Sequence, residues 1–352
     1  PSGWIARGIS PWATGWDLPP NLATVHDPAG LALILGLLVK EVPFLLLVIL
    51  SALTQLPVRD QIAAGRALGY APGAVWVRVI VPQVCRLIRL PIFITLSFAL
   101  SVVDMALILG PSNPPTLAVA MTRWFLAADT TLILPASAAA LALAGVVAMA
   151  LLVWHLTERI VAVLGLAWLR RGGRGRSAGP VAGLIGCIGG ALFVLGAASL
   201  LALLLWSLAW RWTFPGALPE SWSLGAWMNM GEWRNALEQT LILGSLTTAF
   251  SICLAIAWLE GEDRGHMARA RWAEALIYLP LLLPQVAFLY GLSVTFLRAG
   301  LSGGTIPVVW WQTLFVCPYV RIALSGPWRA FDRRIDRAQE RHRKTVEEGD
   351  LR

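Results

Sequence analysis

Charged residues are scarce in this chain: they make up 14% of its 352 residues, whereas hydrophobic residues make up 57%. A soluble domain carries about 25% charged residues. A chain of this length with so few charges does not cover a water-facing surface, so the composition excludes an ordinary soluble protein. It indicates a membrane protein instead.

Motifs for enzyme chemistry are also missing from the sequence. The four cysteines form no CxxC pair, and the four histidines are scattered, which argues against a metal or redox centre and against a nucleophile–base arrangement. No Walker sequence (GxxxxGK[ST]) occurs, so the chain does not hydrolyse ATP alone. We therefore predict a protein that is not an enzyme and that binds no cofactor itself.

Long apolar runs are what the sequence does contain. About 20 apolar residues span the hydrocarbon core of a bilayer, and in lipid such a segment forms a helix because its backbone groups find no water there. We predict an all-α, polytopic transmembrane helical bundle of about seven transmembrane helices. The predicted segments are 31–53, 90–109, 131–155, 181–210, 240–259, 276–297 and 308–325.

Basic residues indicate how these segments are oriented. When 54–89 is placed in the cytoplasm and the sides alternate, the cytoplasmic parts 54–89, 156–180, 260–275 and 326–352 hold five, five, three and eight Lys or Arg residues. The external parts hold five. This bias follows the positive-inside rule. It also explains the net charge of +8 without a nucleic-acid partner.

A basic, glycine-rich segment at 170–180 divides the chain into two halves. Pro43–Phe44 and Pro318–Tyr319 each lie in the last apolar segment before a basic cytoplasmic part. This is a weak internal repeat, of a kind found in transporters. A coincidence between two proline-bearing helices is the alternative.

The segment 61–82 interrupts the apolar runs and predicts two short helices around a bend. Residues 61–68 favour a helix that Gly69 ends, and Pro72 suits the first turn of a second helix. We predict that the second helix runs until Pro82. The alternative is an amphipathic connection that lies in the membrane interface.

The spacing within this segment resembles the "EAA" loop of permease subunits of binding-protein-dependent ABC importers. That motif reads Glu-Ala-Ala, three residues, Gly, nine residues, Ile, one residue, Leu-Pro. The same frame here is Ala63-Ala64-Gly65, Gly69, Val79 and Val81-Pro82. Every spacing is kept, while Ala63 replaces the glutamate, Gly65 the second alanine, and valines the Ile and Leu.

The flanking segments 40–53 and 100–119 are similar to double-length permeases of the ferric-iron and thiamine importer type, and closest to a branch without an assigned substrate. The resemblance implies a type I ABC-importer permease fold. Residues 1–169 would be the C-terminal part of a first permease half, and 181–352 the N-terminal part of a second half. It also implies cytoplasmic ATP-binding cassette subunits, in two copies, that carry the ATP, and a periplasmic substrate-binding protein.

The resemblance implies that the loop 61–82 docks into a cleft on an ATPase subunit and conveys its closure to the helices. Carried over by position, the docking element comprises Ala63, Ala64, Gly65, Leu68 and Gly69. We further expect Arg66 and Arg78 to pair with acidic groups of the ATPase. The remaining candidate positions of this loop are Tyr70, Pro72, Val79 and Pro82.

A second coupling region is expected after the last apolar segment. Its candidate residues are Gly326, Trp328, Arg329 and Arg333. The resemblance stops near Arg337, and 13 of the 21 residues in 332–352 are charged. We expect a fragment, a truncated gene or a frameshift here; a native charged tail is the alternative.

Four charged residues lie inside apolar segments: Arg321, and the three candidates Lys40, Glu41 and Asp104. Such residues usually face protein or water and are candidates for function. We expect either an interhelix pair between Lys40 and Asp104 or a lining of the translocation path. An ion-coupled secondary transporter that uses these charges, and a membrane assembly factor without transport, are the competing functions.

Overall fold

The computed structural model describes residues 7–8, 12–13, 15–18, 25–170, 179–228, 231, 233–264, 271–298, 300 and 304–330. This part of the chain is mainly helical, as predicted. The helices of its first part are α1 (Leu31–Thr54), α2 (Val58–Ala67), α3 (Pro72–Val75), α4 (Val81–Leu87), α5 (Arg89–Ser101), α6 (Asp104–Leu109), α7 (Leu117–Phe125) and α8 (Ile133–Arg170). Those of its second part are α9 (Gly179–Leu208), α10 (Gly225–Met228), α11 (Arg234–Arg264), α12 (Arg271–Leu282), α13 (Gln285–Arg298) and α14 (Thr305–Ala330).

Five helices of the described residues are long and apolar enough to cross a membrane, and there are up to seven spans if each of two bent helix pairs counts as one. This agrees with the predicted number. The five single spans are Leu31–Thr54, Thr130–Ala167, Gly183–Leu208, Arg234–Glu262 and Thr305–Ser325.

The predicted segment 90–109 is not one helix, which corrects the sequence-based expectation. Helix α5 ends at Ser101, Val102 takes an extended conformation with ψ 133°, and α6 begins at Asp104. Asp104 therefore lies in the first turn of a new helix, where a negative side chain is favoured by the exposed backbone N–H groups. The buried Ser101 donates its hydroxyl to the Ser97 carbonyl oxygen at 2.8 Å, which satisfies a polar group at the break.

The predicted segment 276–297 is also divided. Its two helical parts, Leu276–Leu282 and Gln285–Phe296, meet at an angle of 116°. Pro284 stands at the break, and a proline supplies no backbone N–H and restricts the residue before it to extended conformations. The helix therefore ends before Pro284, and α13 starts directly after it.

Helix α8 extends well beyond its predicted span of 131–155. Its 38 residues have a length of roughly 57 Å, which exceeds the hydrocarbon thickness of about 30 Å. About two thirds of the way along α8, Glu158 forms an ion pair with Arg89, whose Nε lies 2.9 Å from Glu158 Oε2. The start of α5 and this part of α8 thus lie on the same side of the bundle, as the predicted alternating topology requires.

The chain divides into two compact units: residues 1–233 with 282–290, and residues 234–281 with 291–352. In the first unit an antiparallel pair of short strands, β1 (Ala209–Arg211) and β2 (Ser221–Trp222), follows α9. In the second unit α11 packs along α14. The predicted division at 170–180 stays a prediction, and residues 171–178 lie outside the described residues.

Candidate functional site

The turn of the predicted coupling loop is a Schellman motif, the glycine-based arrangement that ends a helix. Gly69 has φ 81°, in the left-handed region that favours glycine. The Tyr70 N–H donates to the Gly65 carbonyl oxygen at 3.0 Å, and the Gly69 N–H donates to the Arg66 carbonyl oxygen at 2.9 Å. These bonds satisfy carbonyl groups that a helix end leaves free. The predicted end of the first helix at Gly69 is confirmed.

The second helix of the loop starts at Pro72, as predicted, but it does not end at Pro82. Residues Trp76–Ile80 form a π-helical stretch, and Val81–Leu87 continue as α4. Pro82 has no N–H for an α-helical bond, and its ring would press on the carbonyl four residues earlier. The wider π turn directly before Pro82 avoids both problems, and it carries Arg78 and Val79.

The two helices cross at Gly65. A Cβ atom built on Gly65 would overlap Cγ2 of Val75, which is 5% exposed. Glycine at this position therefore lets the backbone of α2 approach α3 closely. Gly65, which the family frame assigns to the docking element, lies in the helix crossing of this loop.

A hydrophobic core fixes the loop to the end of α1. Val75, Ile80, Val84 and Ile88 are buried together with Ala52 of α1. Each side chain of this size stabilises the fold by about 1.5–3 kcal/mol when it is fully buried. The loop is thus a packed element attached to a membrane helix, and a displacement of the loop carries the end of α1 with it.

The opposite side of the loop is exposed, and we call it the docking face. It comprises Ala63, Ala64, Arg66, Leu68 and Gly69. Leu68, which directly follows the helix α2, is 70% exposed although it is apolar. Pro72, Val79 and Pro82 are exposed as well. The docking face thus joins one apolar side chain and one cation to small residues that leave space for a partner.

Arg78 lies partly within the loop. Its guanidinium carbon is 6.0 Å from the centroid of the Tyr70 ring, and both residues are partly buried. This arrangement favours a cation–π contact that joins the turn to the π-helical stretch. The pairing of Arg66 and Arg78 with acidic groups of a partner stays a prediction.

The second coupling region lies largely at the edge of the described residues. Helix α14 includes Gly326, Trp328 and Arg329 and ends at Ala330. The Trp328 side chain is partly buried, whereas Gly326 and Arg329 are described only as part of the helix backbone and Arg333 lies outside the described residues. The role of this region stays a prediction.

The predicted interhelix pair between Lys40 and Asp104 is not formed. Lys40 Nζ lies 3.8 Å from the centroid of the Phe98 ring on α5, and no ion pair of the described residues joins it to Asp104. The break at Val102 starts a new helix at Asp104, whose side chain is exposed. Glu41 is partly buried on α1. A role of these charges in a translocation path stays a prediction.

Arg321, for which we predicted no role, is buried and forms a cluster with Glu262 and Tyr278. Its signal was an arginine inside an apolar run. Within the described ranges, no group of three His, Cys, Asp or Glu residues could hold a metal ion.

These features define a class: a multi-pass helical membrane protein with a packed, bent helix pair between two of its spans. Over 324 residues, 91% of its length, the chain is 28% identical to the inner membrane ABC transporter permease protein YnjC of Escherichia coli (strain K12). This match confirms the resemblance to ABC permeases that the sequence motif indicated. The chain spans 57% of the length of that relative. No family model matches the chain, and no solved structure matches it.

Proposed function

We propose that this chain is part of the transmembrane permease subunit of an ATP-driven solute importer in a bacterial inner membrane. The partners are two cytoplasmic ATP-binding cassette subunits and a periplasmic substrate-binding protein. ATP is bound and hydrolysed by the ATP-binding subunits. The similarity to an inner membrane ABC permease supports this assignment, and the permease role itself is not enzymatic.

One observation carries the proposal: the loop 61–82 has a packed inner face and an exposed docking face. The inner face, with Val75, Ile80 and Val84, is fixed to α1. The outer face presents the 70% exposed Leu68 at the tip. A short helix with one apolar anchor is suited to a groove on a partner protein.

The coupling follows from this packing. When the ATP-binding subunits close, each moves the loop that it holds. Because the core under the loop includes Ala52 of α1 and continues through Ile88 into α5, the movement reaches two membrane helices. Alternating access then results from the displacement of these helices relative to the rest of the bundle.

The competing secondary transporter receives less support. It requires Lys40, Glu41 and Asp104 to act together, but Lys40 lies against Phe98 and Asp104 belongs to a separate short helix. The structure gives no observation that favours an assembly factor over a permease.

The test uses Leu68→Glu in the full-length protein, copurified with an ATP-binding subunit that is recognised by its Walker sequence. A charge at the tip of the docking face should abolish copurification, because it would have to be desolvated in the groove. The matched control is Leu126→Glu, since Leu126 is 82% exposed and lies on the side predicted to be external. Equal recovery of the ATP-binding subunit with both variants would contradict the proposed docking face.

A further inference from the structure

Arg321 is a buried cation inside the membrane-spanning helix α14. It is 2% exposed. Its Nη2 donates to Glu262 Oε1 at 3.2 Å, and its Nη1 donates to the Tyr278 hydroxyl at 2.9 Å. The guanidinium carbon lies 5.6 Å from the ring centroids of both Trp258 and Tyr278. One side chain of α14 therefore contacts α11 and α12 at the same time.

The carboxylate in this cluster is itself fixed. Trp258 Nε1 donates to Glu262 Oε1 at 2.6 Å, from one turn earlier on α11. The same oxygen accepts the hydrogen bond from Arg321. Glu262 is thus held in one orientation, which fixes the position that Arg321 takes. Breaking a buried pair leaves an uncompensated charge, whereas removing both charges together is often tolerated.

The place of the cluster in its helices shows what it can do. Glu262 lies two residues before the end of α11, and Tyr278 lies in the second half of α12. Arg321 lies nine residues before the end of α14, and the predicted second coupling region begins at Gly326. The cluster therefore stands between the bulk of α14 and the segment that we predict to meet an ATP-binding subunit.

A proline weakens α14 directly before the cluster. Pro318 is fully buried and stands three residues before Arg321. Within a helix a proline removes one backbone hydrogen bond and favours a kink. Without a lateral contact beyond Pro318, a movement of the helix end would bend α14 at this point and would not reach its neighbours.

We propose that Arg321 is a positioning residue that joins the second coupling region to α11 and α12. Through Glu262 and Tyr278 it makes the end of α14 move together with these two helices. A movement that starts at the coupling region is then transmitted across the unit and is not absorbed at Pro318. This inference rests on the proposed function for its driving movement, but the joining of the three helices is a property of the chain itself.

The first measurement addresses the joining of the helices in the isolated full-length protein. Spin labels are attached at Ile256→Cys on α11 and Ala323→Cys on α14, two exposed positions, with the native cysteines replaced by serine. In nanodiscs, Arg321→Gln should broaden the distribution of distances between the labels. The matched control is Arg234→Gln, which removes an exposed partner of Glu238 on the same helix and should leave the distribution unchanged.

The second measurement separates positioning from simple stabilisation. The double variant Arg321→Gln with Glu262→Gln leaves no buried charge, so we expect its thermal unfolding midpoint to return close to that of the unchanged protein. In the assembled complex, the distance between the two labels should stay constant when Mg²⁺·ATP is added to the unchanged protein, because the joined helices move together. We expect Mg²⁺·ATP to change this distance in Arg321→Gln and also in the double variant. Arg321→Lys keeps the charge but lacks the planar fork that reaches two partners, so its ATP-dependent distance change should be smaller than that of Arg321→Gln but not zero.

The outcomes are distinguishable. If the double variant regains thermal stability and also keeps the label distance constant on addition of Mg²⁺·ATP, the pair is only structural and the inference is overturned. An unchanged distance distribution in Arg321→Gln overturns it as well. If Arg321→Gln does not accumulate in the membrane, the double variant decides alone. If the unchanged protein assembles with no ATP-binding subunit, the proposed function fails, whereas the distance measurement without ATP still tests the joining of the helices.

Discussion

Gly65 and Val75 meet where the two helices of the coupling loop cross, and their contact leaves no room for a Cβ atom on Gly65. The family frame has an alanine at the position of Gly65. In this chain the close approach brings α3 and the π-helical stretch against α2, so that Val75 and Ile80 are buried. The substitution of glycine for alanine is thus linked to the packing of this loop.

Gly65→Val tests this close approach. A branched side chain at the crossing would force Val75 away, and such overpacking typically lowers the free energy of unfolding by about 1–3 kcal/mol. The matched control is Gly165→Val in α8, where a Cβ atom has no neighbour within 4 Å. Thermal unfolding of the two variants in nanodiscs measures the difference.

A compensating substitution sharpens the same test. Adding Val75→Ala to Gly65→Val removes the methyl groups that would overlap, so the double variant should lose less stability than the two single losses combined. Contacting residues show coupling free energies of about 0.5–3 kcal/mol. If the stability losses of the two single variants add up to that of the double variant, the side chains at positions 65 and 75 do not compete for space at the crossing.

Local chemistry made much of this loop predictable. The end of the first helix at Gly69 and the start of the second helix at Pro72 follow from the residue types alone. A left-handed φ at a helix end favours glycine, and the missing N–H of proline is harmless in the first turn of a helix. The apolar runs likewise predicted the spans, since length and composition decide whether a helix can cross a bilayer. These features depend on short stretches of sequence.

The features that were missed depend on contacts between distant segments or on backbone details within a run. No glycine or proline occurs between residues 92 and 109, so composition gave no sign of the break at Val102–Val103. The contact of Lys40 with Phe98 depends on which face of α1 meets α5. A charge pattern alone suggested the opposite charge of Asp104 as the partner.

Lys40 should therefore be coupled energetically to Phe98 and not to Asp104. Cation–π contacts contribute about 0.5–2 kcal/mol, more where water is excluded. We expect this coupling free energy in a double-mutant cycle of Lys40→Met and Phe98→Leu, measured by unfolding in nanodiscs. The cycle of Lys40→Met with Asp104→Asn should be additive within about 0.5 kcal/mol.

The second cycle is the control for the first, since both contain the same lysine substitution. Strong coupling between Lys40 and Asp104 would restore the predicted interhelix pair. If both cycles are additive, Lys40 is held by neither residue, and the contact with Phe98 would carry no energy.

Acid should weaken the start of α1 through Asp27. The backbone N–H groups of Ala32 and Leu31 donate to its carboxylate at 3.0 and 2.7 Å, and these bonds lower the pKa of Asp27 from its ordinary value. Because the folded pKa lies below the unfolded pKa of about 3.9, the stabilisation is fully present above that pH. It is lost as the pH falls through the folded pKa. The variant Asp27→Asn should have a lower unfolding midpoint than the unchanged protein at pH 7.

At pH 3 the gap between Asp27→Asn and the unchanged protein should narrow, since protonation weakens the same two hydrogen bonds. The matched control is Asp17→Asn, an exposed aspartate outside the helices, whose midpoint should follow the unchanged protein at both pH values. Unfolding is followed by intrinsic tryptophan fluorescence in nanodiscs. A gap between Asp27→Asn and the unchanged protein that is equally large at pH 7 and pH 3 would show that the charge of Asp27 does not stabilise the start of α1.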